Sequence, residues 1–421
     1  MINESKIFNN IIGYDNIKTT LLRIIDVLNN QKKYKKIGST IPNGLLLYGP
    51  PGTGKTSIAK EFINNINRKK YIVRKVKSNG RFIDYINDIF KEAKENQPSI
   101  ILLDDLDKFS ENDNKTNNEE YVTIQSLIDD IKNEDIFVIA TANNINVLPY
   151  SLKRAGRFDI KIEFGNPKDE DAFKIFSHYL KNKKIDQDIN IRNLSYILTN
   201  CSCAELEKVC NQAGIYAGYK NKDSIGMEEL LRAALELKYN TNIEEEKEDK
   251  YTIRTAYHEG GHILIREILE PNSVLFATTI NVESTTKGLT VYSNNENYSD
   301  DIQFMKNTIK SLLAGKAATE IVYHTADTGC NSDLHKVYNI AREIVDNYCA
   351  YGFDSWFHFS NETSEKVKES KDDKVNKLIS DYYVEVKEIL IENRNKLDRI
   401  ATELKNKKIL FKDEIEKLIK C

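Results

Sequence analysis

Residues 44–56 read GLLLYGPPGTGKT. A short apolar run enters a turn rich in glycine and proline, and a lysine and a threonine stand where a helical stretch begins. Gly49, Pro50, Pro51, Gly52, Thr53, Gly54, Lys55 and Thr56 make a complete Walker A pattern. Glycines let such a loop wrap round phosphates, so that backbone N–H groups and a helix N-terminus face the anion. Lys55 then reaches the outer phosphates, and the Thr56 hydroxyl binds magnesium. Outward from this loop, YIVRKV (71–76), SIILLD (99–104) and IFVIAT (136–141) read as further strands. Residues 55–66, 82–96 and 121–131 read as the helices between them. Strands alternating with helices predict an α/β domain with a parallel sheet covered on both faces. SIILLD ends in Asp104, followed by Asp105. A carboxylate at the tip of a buried strand is where such folds hold magnesium.

The chain has 421 residues, enough for two or three domains. A formal net charge of −3 gives no global basic field, so nucleic acid is not an expected partner. The six cysteines form no CxxC pair, which argues against a disulfide framework or a zinc ribbon and suits reduced thiols in a cytoplasm. The N-terminus lacks a signal pattern, and apolar runs such as 100–103 are far too short for a membrane span. SENDNKTNNEE (110–120) is polar throughout and reads as a surface loop. After Pro167 the pattern turns helical, over 169–180, 191–198, 204–219 and 227–237. EEEKEDK (244–250) is a charge run without apolar periodicity, read as a solvated linker. The remainder is mostly helical, with β-like stretches at 275–281 and 288–292. The expected organisation is a nucleotide-binding domain (1–165), a helical domain (166–240), an acidic linker (241–250) and a second functional domain (251–421).

That last domain holds His258-Glu259-Gly260-Gly261-His262. A spacing of four puts both imidazoles on one helical face, one turn apart, where they can share a metal ion. Glu259 then serves as general base toward a water whose pKa zinc lowers. Gly260 and Gly261 weaken a helix by roughly 1 kcal/mol each, which is understandable where another backbone must approach closely. A catalytic zinc takes three protein ligands and keeps one position open. Residue chemistry alone leaves Glu320, His324, Asp333 and His335 as candidates for the third.

Residues 8–239 resemble the AAA+ ATPase module, and the whole chain from residue 8 resembles the FtsH-type ATP-dependent zinc metalloproteases. PSIILLDDLD (98–107) is similar to the Walker B region of that family, and FVIATANNINVLPYSLKRAGRFD (137–159) to its second region of homology. TAYHEGGH (255–262), KGLTVY (287–292), LLAGKAATEIVY (312–323) and ILIENRNKLDRIATEL (389–404) follow the peptidase domain in order. The resemblance implies a P-loop AAA+ domain with a helical lid, followed by a mostly helical zinc protease domain. It implies ATP, magnesium and zinc as cofactors, polypeptide substrates and a homo-hexameric ring. By it, Ile12 and Gly13 meet adenine, Asn143 is the sensor that orients the attacking water, and Arg154 and Arg157 are arginine fingers acting on a neighbouring subunit. TGCNSDLHKVYNIAREIVDNYCAYGF (328–353) makes Asp333 the third zinc ligand.

The resemblance also has departures. Asp105 stands where the family usually has Glu, a carboxylate one methylene shorter. KSNGRFID (77–84) lacks the aromatic-Val-Gly pore motif, leaving Phe82 or Tyr85 as substitutes or as core residues. Cys203 replaces a glycine in NCSCAEL (200–206), and with Cys201 it reads as a buried free thiol rather than half of a metal pair. The family's N-terminal transmembrane anchor is not expected here. KGLTVY reads equally as a core-side strand or as an exposed one that pairs with an extended peptide. Two other functions stay open: a zinc peptidase with a weak or assembly-only ATPase, and a remodelling ATPase with vestigial proteolysis.

Overall fold

Central strands of a parallel sheet are covered on both faces and so read as unbroken apolar runs, whereas edge strands alternate. The computed structural model follows this rule. It describes residues 7–75, 82–109, 119–187, 189–240, 252–280, 288–293, 301–325, 328–352 and 365–420. The expected linker (241–250), most of the polar loop (110–118) and residues 77–81 of the pore stretch lie outside the described residues. The chain divides into two units, residues 1–230 and 231–421.

In chain order the first unit begins with α1 (Asp15–Asn29), α2 (Gln31–Lys36), β1 (Gly44–Tyr48), α3 (Lys55–Asn64) and β2 (Lys69–Arg74). It continues with α4 (Phe82–Glu95), β3 (Ser99–Asp104), α5 (Glu119–Asp130), β4 (Ile136–Ala142) and β5 (Ile160–Glu163). The helices α6 (Asp169–Leu180), α7 (Ile191–Ile197), α8 (Cys203–Tyr219) and α9 (Met227–Tyr239) follow, the last straddling the division between the units. The five strands pair in the order β2-β3-β4-β1-β5, all parallel. Every residue of β3 and β4 is buried, while the edge strands β2 and β5 alternate. Because all strands run one way, the loops after β1, β3 and β4 emerge along one edge of the sheet, where α/β folds bind ligands.

The four expected strands are present within a residue or two, as are the expected helices. Phe82 packs in the core, edge-on to Phe109 with centroids 5.0 Å apart, so it is not a surface grip. Tyr85 is exposed.

The second unit contains α10 (Thr252–Leu269), β6 (Val274–Thr278), β7 (Leu289–Tyr292), α11 (Ile302–Tyr323) and α12 (Asn331–Asp346). It ends with α13 (Glu365–Glu392), α14 (Arg394–Lys407), β8 (Ile409–Phe411) and α15 (Lys412–Lys420). Strands β7, β6 and β8 form a small antiparallel sheet in that order. Helix α10 is buried continuously from Glu259 to Glu267, so it runs through the middle of the unit rather than along its surface. It packs on α11 and α14 through Ile263, Leu264, Ala314, Ala318, Leu397 and Ile400. Each buried Leu or Ile there contributes about 1.5–3 kcal/mol. Among the described residues, no helix is long and apolar enough to cross a membrane.

Candidate nucleotide site and metal centre

The turn between β1 and α3 needs glycine at Gly49, where φ is +142° and a Cβ would lie 2.0 Å from the Phe164 carbonyl oxygen. Lys55 follows as the first residue of α3 and is buried. Its Nζ donates to the Gly49 and Pro50 carbonyls at 2.7 and 2.6 Å, so the ammonium is curled onto its own loop. Burial pushes its pKa down, and the nearby Asp105 carboxylate opposes the shift. Thr56 Oγ1 donates to Asp104 Oδ1 at 2.7 Å, which links the phosphate loop to the tip of β3.

Asp104 is the centre of this edge. Thr141 Oγ1, at the end of β4, donates to Oδ1 at 2.8 Å, and Arg74 Nε donates to Oδ2 at 2.6 Å. The Arg74 contact follows from register, since Arg74 stands opposite Asp104 on the neighbouring strand. Burial raises the Asp104 pKa, but the three donors outweigh it and hold the carboxyl below its ordinary value. The same Thr141 hydroxyl accepts from the Asp105 N–H at 2.8 Å, so one side chain orients both acidic residues. Asp105 adopts a left-handed φ of +59°, and its carboxylate accepts from Lys108 Nζ at 2.8 Å. Asn143 follows β4 on the same edge and is half-buried.

Gly13 is at φ +72° and meets Asp171, whose carboxylate accepts from the Tyr14 N–H at 3.1 Å. Ser202 and Glu205 form a reciprocal cap on α8. The capped turn sits against the phosphate loop: the Ala204 N–H donates to the Gly52 carbonyl at 3.1 Å, and the Cys203 thiol to that of Thr53 at 3.5 Å. Neither Cys201 nor Cys203 is in a disulfide; the first is buried and the second half-buried. The two arginines have different settings. Arg157 is held by Asp129 through Nε at 3.1 Å and Nη2 at 2.7 Å, and this pairing lowers the Asp129 carboxyl to about 2. Arg154 is exposed, its guanidinium 5.1 Å over the ring of Tyr150, itself exposed.

In the second unit, His258 and His262 project from α10, and Asp333 projects from the first turn of α12. Their ligand atoms lie within 4.8 Å of one another. The two Nε2 atoms are 3.1 Å apart, and Asp333 Oδ2 is 3.3 Å from each. Donors held about 2.0–2.1 Å from one ion at tetrahedral angles stand roughly 3.3–3.4 Å apart, so the set fits zinc. The floor fits as well. A Cβ on Gly315 of α11 would lie 2.6 Å from Nε2 of both histidines, and glycine leaves that volume free. The His262 Nδ1–H donates to the Ser311 carbonyl at 2.7 Å, which aims Nε2 at the cluster. Burial works against charge on His262, but the facing Asp333 carboxylate prevails and raises its pKa; Asp333 is held well below the usual carboxylate range.

Glu259 is 4% exposed, and its Oε2 accepts from Thr290 Oγ1 on β7 at 2.6 Å. Of the other ligand candidates, Glu320 accepts from Lys316 at 3.0 Å, Lys387 at 3.1 Å and Tyr383. Tyr383, Lys316 and Lys387 lower it to about 2, and it lies outside the His-His-Asp cluster. His324, at the C-cap of α11, and His335 are both exposed and outside the cluster. Thr141, Arg74, Thr290 and Gly315 were not among the candidates read from the sequence. Thr290 had a local signal, its place in KGLTVY; the others join their sites through strand register and helix packing.

Comparison with known proteins matches residues 45–166 to the ATPase family associated with various cellular activities (AAA), and residues 244–418 to peptidase family M41. The ATP-dependent zinc metalloprotease FtsH 2 of Thermoanaerobacter sp. (strain X514) is 32% identical over 431 residues, covering 98% of this chain and 82% of that protein. FtsH 1 of Phytoplasma mali (strain AT) is 30% identical over 432 residues, 98% of this chain and 70% of that protein. FtsH of Bacillus subtilis (strain 168) is 27% identical over 449 residues, 98% of this chain and 69% of that protein. With the phosphate loop in one unit, the His-His-Asp cluster in the other and this likeness along nearly its whole length, the chain belongs to the FtsH family of ATP-dependent zinc metalloproteases.

Proposed function

We propose that this chain hydrolyses ATP to unfold polypeptides and cleaves them at a zinc site. The observation that carries the reading is the His258–His262–Asp333 cluster with Glu259 beside it, in one chain with a complete phosphate loop. In this reading residues 1–165 bind nucleotide, 166–240 form the lid, 241–250 link, and 251–421 cleave. Lys55 leaves its loop carbonyls for the outer phosphates, Thr56 and Asp104 hold magnesium, and Asp105 and Asn143 orient the attacking water. Ile12 and Gly13 border adenine. Arg154 and Arg157 reach a neighbouring copy's nucleotide in a hexameric ring, and the exposure of Arg154 supports its part in this. Cys201, Cys203 and Cys210, none of them in a disulfide, support a cytoplasmic setting.

At the second site His258, His262 and Asp333 hold zinc, which when bound polarises a scissile carbonyl and makes water more acidic. Glu259 takes the proton of the attacking water and returns it to the leaving amine. Strand β7 pairs with the extended substrate backbone.

The test is degradation of casein by the purified, zinc-loaded chain, with ATP and with a non-hydrolysable analogue. Cleavage with ATP alone is expected. Equal cleavage with both would favour a peptidase whose ATPase is slow or only assembles the ring. The short Asp105 carboxylate, tied to Lys108, gives that second reading its footing. ATP turnover without cleavage, zinc being bound, would favour a remodelling ATPase.

A further inference from the structure

The Glu259 carboxylate is held from the β7 side. Thr290 Oγ1 donates to Oε2 at 2.6 Å, and Oε1 lies 2.7 Å from where a Cβ on Gly288 would stand. Gly288 comes just before β7 and Thr290 two residues later on it, and both face Glu259 of α10. Glycine at 288 makes room for the carboxylate, and the hydroxyl at 290 fixes its rotation. The terminal torsion of a glutamate is broad and close to two-fold, so packing alone orients it poorly. A hydroxyl donating to a carboxylate is a short, charge-assisted bond and supplies what packing lacks.

We propose that Thr290 is a positioning residue for peptide cleavage. Its hydroxyl ties Oε2 of Glu259 to β7, leaving Oε1 to take a proton from the attacking water. The water O–H bond breaks as its oxygen bonds to the scissile carbonyl carbon; the proton passes to Oε1 and then to the amine nitrogen when the C–N bond breaks. The strand that pairs with substrate is thereby the strand that aims the base, so seating of the peptide and orientation of Glu259 share one element. β7 is the outer strand of its sheet, with β6 on its inner side. This inference rests on the peptidase reading above.

The test compares wild type with Thr290→Val, which keeps the branched shape and loses the hydroxyl, and with Thr290→Ser, which keeps the hydroxyl. For casein cleavage with ATP, Thr290→Val is expected to lower kcat about 10- to 100-fold, the usual effect of losing a group that orients a site. KM should change by less than about threefold, because ground-state binding is untouched. Thr290→Ser should recover most of the loss. A second readout is binding of a peptide hydroxamate, whose hydroxyl proton the base accepts. Its affinity for Thr290→Val should fall about tenfold, while that of the matching peptide amide and the zinc content stay level. Wild-type kcat and hydroxamate affinity in Thr290→Val would overturn the role. Equal loss in Thr290→Ser would also overturn it, because the hydroxyl would then not be the cause. A zinc-loaded wild type that cleaves nothing would remove the peptidase reading and this role with it.

Discussion

The Nδ1–H of His262 donates to the main-chain carbonyl of Ser311 across 2.7 Å, so the tautomer of this imidazole is set by helix α11 rather than by any side chain. The Ser311 hydroxyl itself is buried without a hydrogen-bond partner among the described residues. A buried unpaired hydroxyl costs about 1–3 kcal/mol. Ser311→Ala is therefore expected to raise the melting temperature and to leave one zinc per chain, read by thermal unfolding and elemental analysis. Loss of zinc would move the orienting role to the side chain.

The adjacent glycines of α10 should respond oppositely to alanine. A Cβ at Gly261 would lie 2.5 Å from the Ala314 carbonyl oxygen and 2.8 Å from Ala318 Cβ, so α10 and α11 would have to part. At Gly260 the nearest atom, on Leu397, is 3.4 Å away, an ordinary contact. Gly261→Ala should destabilise the protein by about 1–3 kcal/mol. Gly260→Ala should stabilise it by up to about 1 kcal/mol through helix propensity. Denaturant unfolding of both variants checks the contrast, and equal effects would mean the helices are not in close contact at Gly261.

Zinc content separates Asp333 from Glu320. Asp333→Ala should lose most of its zinc, whereas Glu320→Gln should keep it. Glu320 matters instead for acid stability. Its folded pKa, about 2, is below the unfolded value near 4.5, so its contribution is present above pH 4.5 and is lost as pH falls through 2. Glu320→Gln should lower stability at neutral pH and flatten the stability curve between those values. A variant as steep as wild type over that range would place the acid sensitivity elsewhere.

The two chemistries should come apart cleanly. Glu259→Gln is expected to retain zinc and ATP turnover while casein cleavage disappears, since only the proposed base is removed. Lys55→Ala should abolish ATP turnover while zinc stays bound. Full cleavage by Glu259→Gln would show the base to lie elsewhere, and equal turnover by Lys55→Ala and wild type would show the phosphate loop to be idle.

How legible each element was depends on how local its signal is. β1, β3 and β4 are apolar throughout because helices cover both faces, and their sequence marks them almost to the residue. β5 was not read as a strand: Lys161 and Glu163 stand exposed on an edge, and IKIE carries no unbroken apolar run. Three-residue β8 is shorter than any window that detects periodicity. The α1 helix carries its signal plainly, with Leu21, Ile24, Ile25 and Leu28 at helical spacing, though no motif marks it. At the candidate metal centre, His258 and His262 are one turn apart and declare themselves. Asp333, 75 residues beyond His258, could be singled out only by resemblance. Thr290 is flagged only by its place in KGLTVY, and Arg74 belongs to its site through strand register, which no single segment encodes.

Gly315 turns the candidate metal centre into a question of volume. Both imidazole Nε2 atoms look onto the place where a single added methyl would stand. Gly315→Ala should thus empty the site with all three donors and the base still in the chain, a closure by filling rather than by deletion. Such a chain would separate what this protein does by pulling from what it does by cutting, with no charge altered anywhere along its length.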